Sequence, residues 1–165
     1  MDKHISNKFT ITNRDNFEIA QYFIKSYYAS RDGLKRLGIL RTERSLQSDY
    51  AEWLVAQMLD LDLAENTVQK GFDAIDKEGK TYQIKSRIFK NGRRHQSSWD
   101  INNIDFRFDY LICVFFSSNL DLLGVIKVAY DDVKEMGNQT KTTFRFRWNR
   151  KTADDPKIKK LYWPS

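Results

Sequence analysis

The chain has 165 residues, of which 41% are hydrophobic and 30% are charged. This length suits a single domain, 1–165, and this composition excludes a disordered chain. No apolar run is long enough to cross a bilayer, the segment MDKHISNK lacks the hydrophobic core of a signal peptide, and Cys113 is the only cysteine. We therefore expect a cytoplasmic protein with no internal disulfide and no membrane partner.

The charges are distributed unevenly along the chain. Lysine and arginine number 28 against 22 acidic residues, which gives a net charge of +6. Five basic and no acidic residues lie in 85–95, whereas five acidic and no basic residues lie in 49–65. A region that attracts cations thus borders one that attracts phosphates. The candidate phosphate contacts are Arg87, Lys90, Arg93, Arg94 and His95, together with Arg44 from a basic stretch that is equally compatible with a solvated connection.

The first half of the chain predicts two helices. The first, from Asp15 to Ser30, has an apolar stripe at helical spacing that consists of Phe17, Ala20, Phe23, Ile24, Tyr27 and Tyr28. The second runs from Leu46 to Leu59 with Ser45 as its N-cap, and its predicted core side is Tyr50, Ala51, Leu54, Val55 and Met58. Glu52 lies one residue from that stripe.

The segment GFDAIDKEGKTYQIKSR predicts a β-hairpin with strands Gln69–Ile75 and Thr81–Arg87. If 77–79 is a three-residue loop with Gly79 in the left-handed conformation, paired residues have numbers that sum to 156. Asp73 then lies opposite Gln83. Because side chains on a strand alternate between faces, Lys85 shares the face of Gln83.

The second half predicts the remaining elements. These are a polar loop at Asn91–Phe106, a strand buried on both faces at Tyr110–Phe116, its partner at Leu122–Val128, a short helix at Tyr130–Met136, an edge strand at Thr142–Trp148 and an irregular end.

The hairpin brings together a carboxylate, an amide oxygen and an amine. The two oxygens suit a hard cation such as Mg²⁺, and the lysine suits a phosphate or a metal-bound water. Each residue alone is more simply a solvated surface group, but four suitable types occur in order on suitable elements. The chain has no zinc-ligand set and no glycine-rich nucleotide loop.

A glutamate on a helix, then an aspartate, then x-x-Lys on the next strand resembles the PD-(D/E)XK nuclease superfamily. The corresponding residues are Glu52, Asp73, Gln83 and Lys85, with Gln83 where Asp or Glu is commonest. A glutamine in that position is known in active members, notably among type IV restriction enzymes. The resemblance covers Ser45 to Phe116 and implies an α/β fold with a restriction-endonuclease-like central mixed β-sheet flanked by helices.

This resemblance implies a metal-dependent DNA endonuclease, acting in restriction or other DNA defence or repair. Glu52, Asp73, Gln83 and the carbonyl of Ile84 would hold Mg²⁺, for which Mn²⁺ can substitute, and Lys85 would position the attacking water. A homodimer would cut both strands. Two alternatives stay open: a catalytically silent nucleic-acid-binding module of the same fold, and a protein-interaction or assembly factor.

Overall fold

The computed structural model describes residues 14–42, 45–65, 71–90, 94, 96–102, 104 and 107–165, and the side chains of these from residue 17 onward. Arg44, Arg93 and His95 lie outside the described residues, as does part of the predicted first hairpin strand, 69–70. The chain forms two compact units, Met1–Arg41 and Thr42–Ser165.

The described part of the first unit contains one helix, α1 (Arg14–Arg36). It extends past the predicted end at Ser30, because Gly33 is accommodated within it at a cost of about 1 kcal/mol. The helix ends near Gly38, whose φ of 72° is the left-handed conformation that glycine adopts readily. The large side chains of the predicted apolar stripe are exposed, with Phe17 at 60%.

The second unit begins with α2 (Leu46–Leu59), whose bounds match the prediction. The hydroxyl of Ser45 accepts a hydrogen bond from the backbone N–H of Ser48, which confirms the predicted N-cap. Ala51 and Val55 are buried as predicted. Met58 is 39% exposed, so its assignment to the core was wrong.

Among the described residues of this unit, nine strands and two further helices follow. They are β1 (Asp62–Leu63), β2 (Ala74–Ile75), β3 (Thr81–Ile88), β4 (Ser97–Ile101), β5 (Tyr110–Phe116), β6 (Leu122–Ala129), α3 (Tyr130–Met136), β7 (Asn138–Gln139), β8 (Phe144–Trp148), α4 (Arg150–Ala153) and β9 (Lys159–Tyr162). Six strands form a mixed sheet in the order β1-β2-β3-β5-β6-β9, in which only β3 and β5 run parallel.

The hairpin of β2 and β3 has the predicted register. Ala74 pairs with Tyr82 and Ile75 with Thr81, so the paired numbers sum to 156. Gly79 has a φ of 81°, as the three-residue loop requires. The strand β2 is much shorter than predicted, because pairing is limited to these residues.

A second, three-stranded sheet has the order β4-β8-β7. Two predictions were wrong here: β4 lies within the segment expected to be a loop, and β8 is central rather than an edge strand. A third was wrong in the six-stranded sheet, where β9 forms in the end expected to be irregular. The outward positions of β4 are polar, while Trp99 and Ile101 are buried. Four residues of alternation in a polar segment are too short a signal to recognise without the partner strand.

The strand β5 is buried on both faces, as predicted. On one face Ile112 and Val114 belong to a core that includes Ala51 and Val55 of α2. On the other, Phe115 packs among aromatic residues of the smaller sheet. The unit is therefore mixed α/β, with the six-stranded sheet between a helix and a second sheet. Within the described part of the chain, no helix is long and apolar enough to cross a membrane.

Replacing Phe115 by alanine should lower the free energy of unfolding by about 3–5 kcal/mol. The ring is fully buried, and its centroid lies 4.9 Å from Trp148, 5.2 Å from Phe89 and 5.3 Å from Trp99. Urea denaturation measures the change. The matched control is Phe17→Ala on α1, which should change stability by less than about 0.5 kcal/mol. Equal losses in the two variants would contradict this account of the core.

Candidate active site

Glu52, Asp73, Gln83 and Lys85 line one pocket of about 210 Å³. The sequence places these residues on one helix and two strands, and the structure brings all of them together. Their chemical roles stay predictions. The rest of the lining is Gln47, Ser48, Ala51, Ile84 and Ser86.

Asp73 is positioned by the backbone of β3. Asp73 directly precedes β2, and its N–H donates a hydrogen bond to the carbonyl of Tyr82 at 2.8 Å. Its next hydrogen bonds to β3 are made by the side chain. The carboxylate Oδ2 then accepts from the N–H of Ile84 at 2.7 Å and from Nε2 of Gln83 at 2.5 Å. The Asp73 carboxylate thus accepts the N–H of Ile84 in the place where a backbone carbonyl of a longer β2 would accept it. Asp73 is 7% exposed, and burial strengthens such charge-assisted hydrogen bonds.

The two faces of β3 have different surroundings. Tyr82 and Ile84 are buried in the core beside α2. Gln83 and Lys85 alternate with them and lie on the other face, where Lys85 pairs in register with Cys113 of β5. The side chain of Lys85 is half-buried and makes no hydrogen bond or ion pair with another described residue. Its amine is therefore available to a ligand.

Cys113 is a core residue rather than a reactive group. Its side chain is fully buried, and burial raises the pKa of the thiol well above its usual value. The positive charge of Lys85 opposes this shift of the pKa only in part.

The helix α2 supplies the remaining side of the pocket. Glu52 is half-buried there, and Ser48 precedes it by one helical turn. Nε2 of Gln47 donates to the hydroxyl of Ser86 at 2.9 Å, which links the start of α2 to β3. Gln47, Ser48 and Ser86 were not predicted as site residues. The one available signal was the spacing of four residues between Ser48 and Glu52.

The donor set of the pocket is rich in oxygen. It contains two carboxylates, on Glu52 and Asp73, and the amide oxygen of Gln83. The N–H of Ile84 points toward Asp73, and in a strand the carbonyl of the same residue points to the same side. Hard cations accept such ligands. No group of three or more His, Cys, Asp or Glu side chains that could hold a metal occurs among the described residues. A cation would therefore depend on the neutral oxygens as well.

The predicted phosphate contacts differ in their surroundings. Arg87 and Lys90 are exposed, and a guanidinium nitrogen of Arg87 donates to the carbonyl of Ser98. Arg94 donates to the carbonyls of Leu123 at 2.6 Å and Pro164 at 2.9 Å, and it stacks on Trp163 with 4.1 Å to the ring centroid. Arg94 thus secures the C-terminal segment, a role that the sequence did not indicate.

No family model matches the chain, and no curated protein matches it at significant similarity. Any assignment of function therefore depends on the residues of the site itself.

Asp73→Ala should lower the free energy of unfolding by about 1–3 kcal/mol, because it leaves the buried N–H of Ile84 without an acceptor. Asp73→Asn keeps an acceptor oxygen at the same place and should cost less. Urea denaturation of both variants measures the difference. If the two substitutions destabilised equally, the hydrogen bond to Ile84 would not be what fixes the carboxylate.

Proposed function

We propose that the chain is a metal-dependent endonuclease that hydrolyses DNA phosphodiester bonds, with a restriction-endonuclease-like fold of the PD-(D/E)XK type. The observation that carries the proposal is the convergence of Glu52, Asp73, Gln83 and Lys85 on one pocket. The mixed α/β architecture with its six-stranded sheet is compatible with that fold. Two copies, each cutting one strand, would give a double-strand break.

The residues divide the work between binding and positioning. A bound Mg²⁺ ion would lower the pKa of a coordinated water and neutralise charge on the phosphate. Asp73 and Glu52 would supply the anionic oxygens that hold the cation, while Gln83 and the carbonyl of Ile84 would supply neutral ones. The hydrogen bond from the N–H of Ile84 fixes the Asp73 carboxylate in place. Lys85 orients the attacking water and faces the charge that develops on the phosphate.

Asp73→Asn and Lys85→Ala should each reduce cleavage of plasmid DNA in Mg²⁺ by about 100-fold or more, since each removes a group that stabilises the transition state. Both variants should remain folded, as judged by circular dichroism. Lys77→Ala is the matched control, because Lys77 is an exposed residue of the hairpin loop whose partner is Asp60. Full activity of Lys85→Ala would remove Lys85 from the mechanism.

Gln83→Glu tests the metal directly. Nε2 of Gln83 lies 2.5 Å from Oδ2 of Asp73, so a glutamate would set two carboxylates against each other unless a cation or a proton separated them. We expect the variant to be less stable than the wild type in EDTA and to recover stability on addition of Mg²⁺ or Mn²⁺. Cleavage at low Mg²⁺ should be preserved or increased. A melting temperature that does not respond to either metal would argue against a cation at this site.

The second candidate is a catalytically silent nucleic-acid-binding module of the same fold. It is favoured by the lack, within the described residues, of a metal-holding group of three His, Cys, Asp or Glu side chains. Purified wild-type protein that binds DNA but cuts neither DNA nor RNA in Mg²⁺ or Mn²⁺ would select this candidate.

A further inference from the structure

A second pocket, of about 510 Å³, lies at the junction of β3 with the smaller sheet. Its charged lining residues are Arg87, Arg145 and Arg147, and the polar lining residues include Gln96, Ser98 and Asn149. No described Asp or Glu lines it. It shares no lining residue with the candidate active site.

The alternation of β8 creates this pocket. Phe146 and Trp148 are buried, so Arg145 and Arg147 project from the outward face of the smaller sheet. The register places Arg147 opposite Ser98 of β4. Both arginines therefore line the same pocket, in front of the aromatic core.

Two of the three arginines have fixed positions. The carboxylate of Asp100 accepts from Nε of Arg145 at 2.7 Å and from Nη2 at 3.0 Å, and Arg87 donates to the carbonyl of Ser98. The ion pair of Asp100 and Arg145 lowers the pKa of the carboxyl and raises that of the guanidinium, so both stay charged near neutral pH. The Asp100–Arg145 pair is close to neutral overall. The net positive charge of the pocket therefore comes from Arg87 and Arg147.

Arg147 is the group best suited to a ligand. It is exposed, and it makes no side-chain hydrogen bond or ion pair with any described residue. A planar guanidinium donates two parallel hydrogen bonds to phosphate oxygens, which a lysine does not do.

The second pocket and the candidate active site lie along the same face of β3. Gln83, Lys85 and Arg87 are alternate residues of β3 and share one face. Arg87 follows Lys85 by two residues, or about 7 Å along the strand. A polyanion held at Lys85 can therefore extend to Arg87 and on to Arg147.

We propose that Arg87, Arg145 and Arg147 form a binding site for a backbone phosphate of nucleic acid, next to the phosphate held at Lys85. The identity of the polymer rests on the proposed function. The anion-binding chemistry rests on the guanidinium groups alone.

The test measures binding without cleavage. Asp73→Asn protein is titrated into a short labelled DNA duplex in EDTA at several salt concentrations, and fluorescence anisotropy gives the affinity. Adding Arg147→Ala should weaken binding about tenfold and reduce the magnitude of the salt slope by about one unit. Arg147→Lys, which keeps the charge without the fork, should give an intermediate affinity.

Lys141→Ala in the same background is the matched control, because Lys141 is exposed, carries the same charge and lies outside the pocket lining. It should leave affinity and slope nearly unchanged. Arg147→Ala behaving like Lys141→Ala would overturn the phosphate site, even if the wild type cleaves DNA. Conversely, loss of binding in Arg147→Ala with a wild type that cleaves nothing would retain the phosphate site and reject the nuclease.

Discussion

The carboxylate of Asp73 completes the edge of β3, and the candidate active site depends on that contact. Backbone pairing from β2 ends after Ala74, apart from the bond that the N–H of Asp73 donates to Tyr82. The side chain then accepts from Ile84, where a longer strand would have offered a carbonyl. Because a side chain ends the ladder instead, the strand edge opens onto α2, and a buried carboxylate stands at the opening.

The position of β3 in the sheet gives each of its faces a separate use. Its parallel pairing with β5, which is buried on both faces, fixes the register and the direction of β3. One face packs against α2 through Tyr82 and Ile84, so that face contributes stability. The alternate residues Gln83 and Lys85 line the candidate active site, and Arg87 lines the second pocket. The same eight-residue strand thus contributes one face to the core and the other to the two pockets.

Local patterns determined which elements the sequence could predict. The bounds of α2 followed from a capping serine and helical spacing, the hairpin register from one glycine, and β5 from a continuous apolar run. The four polar residues of the pocket could be named for the same reason. The strand β8 was predicted as well, but its pairing in a second sheet was not, because its partner β4 is a short alternation in a polar segment. The two strands are separated by the 42 residues that lie between Ile101 and Phe144. Arg94 was unpredictable for a related reason, since its partners at Leu123 and Pro164 are distant in the chain.

Gln83 shows how the site can keep its shape with or without a cation. An acidic residue at this position would face Asp73 at hydrogen-bond distance, and the like charges would repel until a cation or a proton intervened. The amide of Gln83 donates to that carboxylate instead, which stabilises the arrangement without any added charge. If the proposed nuclease binds a cation here, an amide in place of a carboxylate would hold it less strongly. In that proposal Gln83 would lower the affinity for the cation in return for a preformed site, and Arg87 and Arg147 would add attraction for a polyanion.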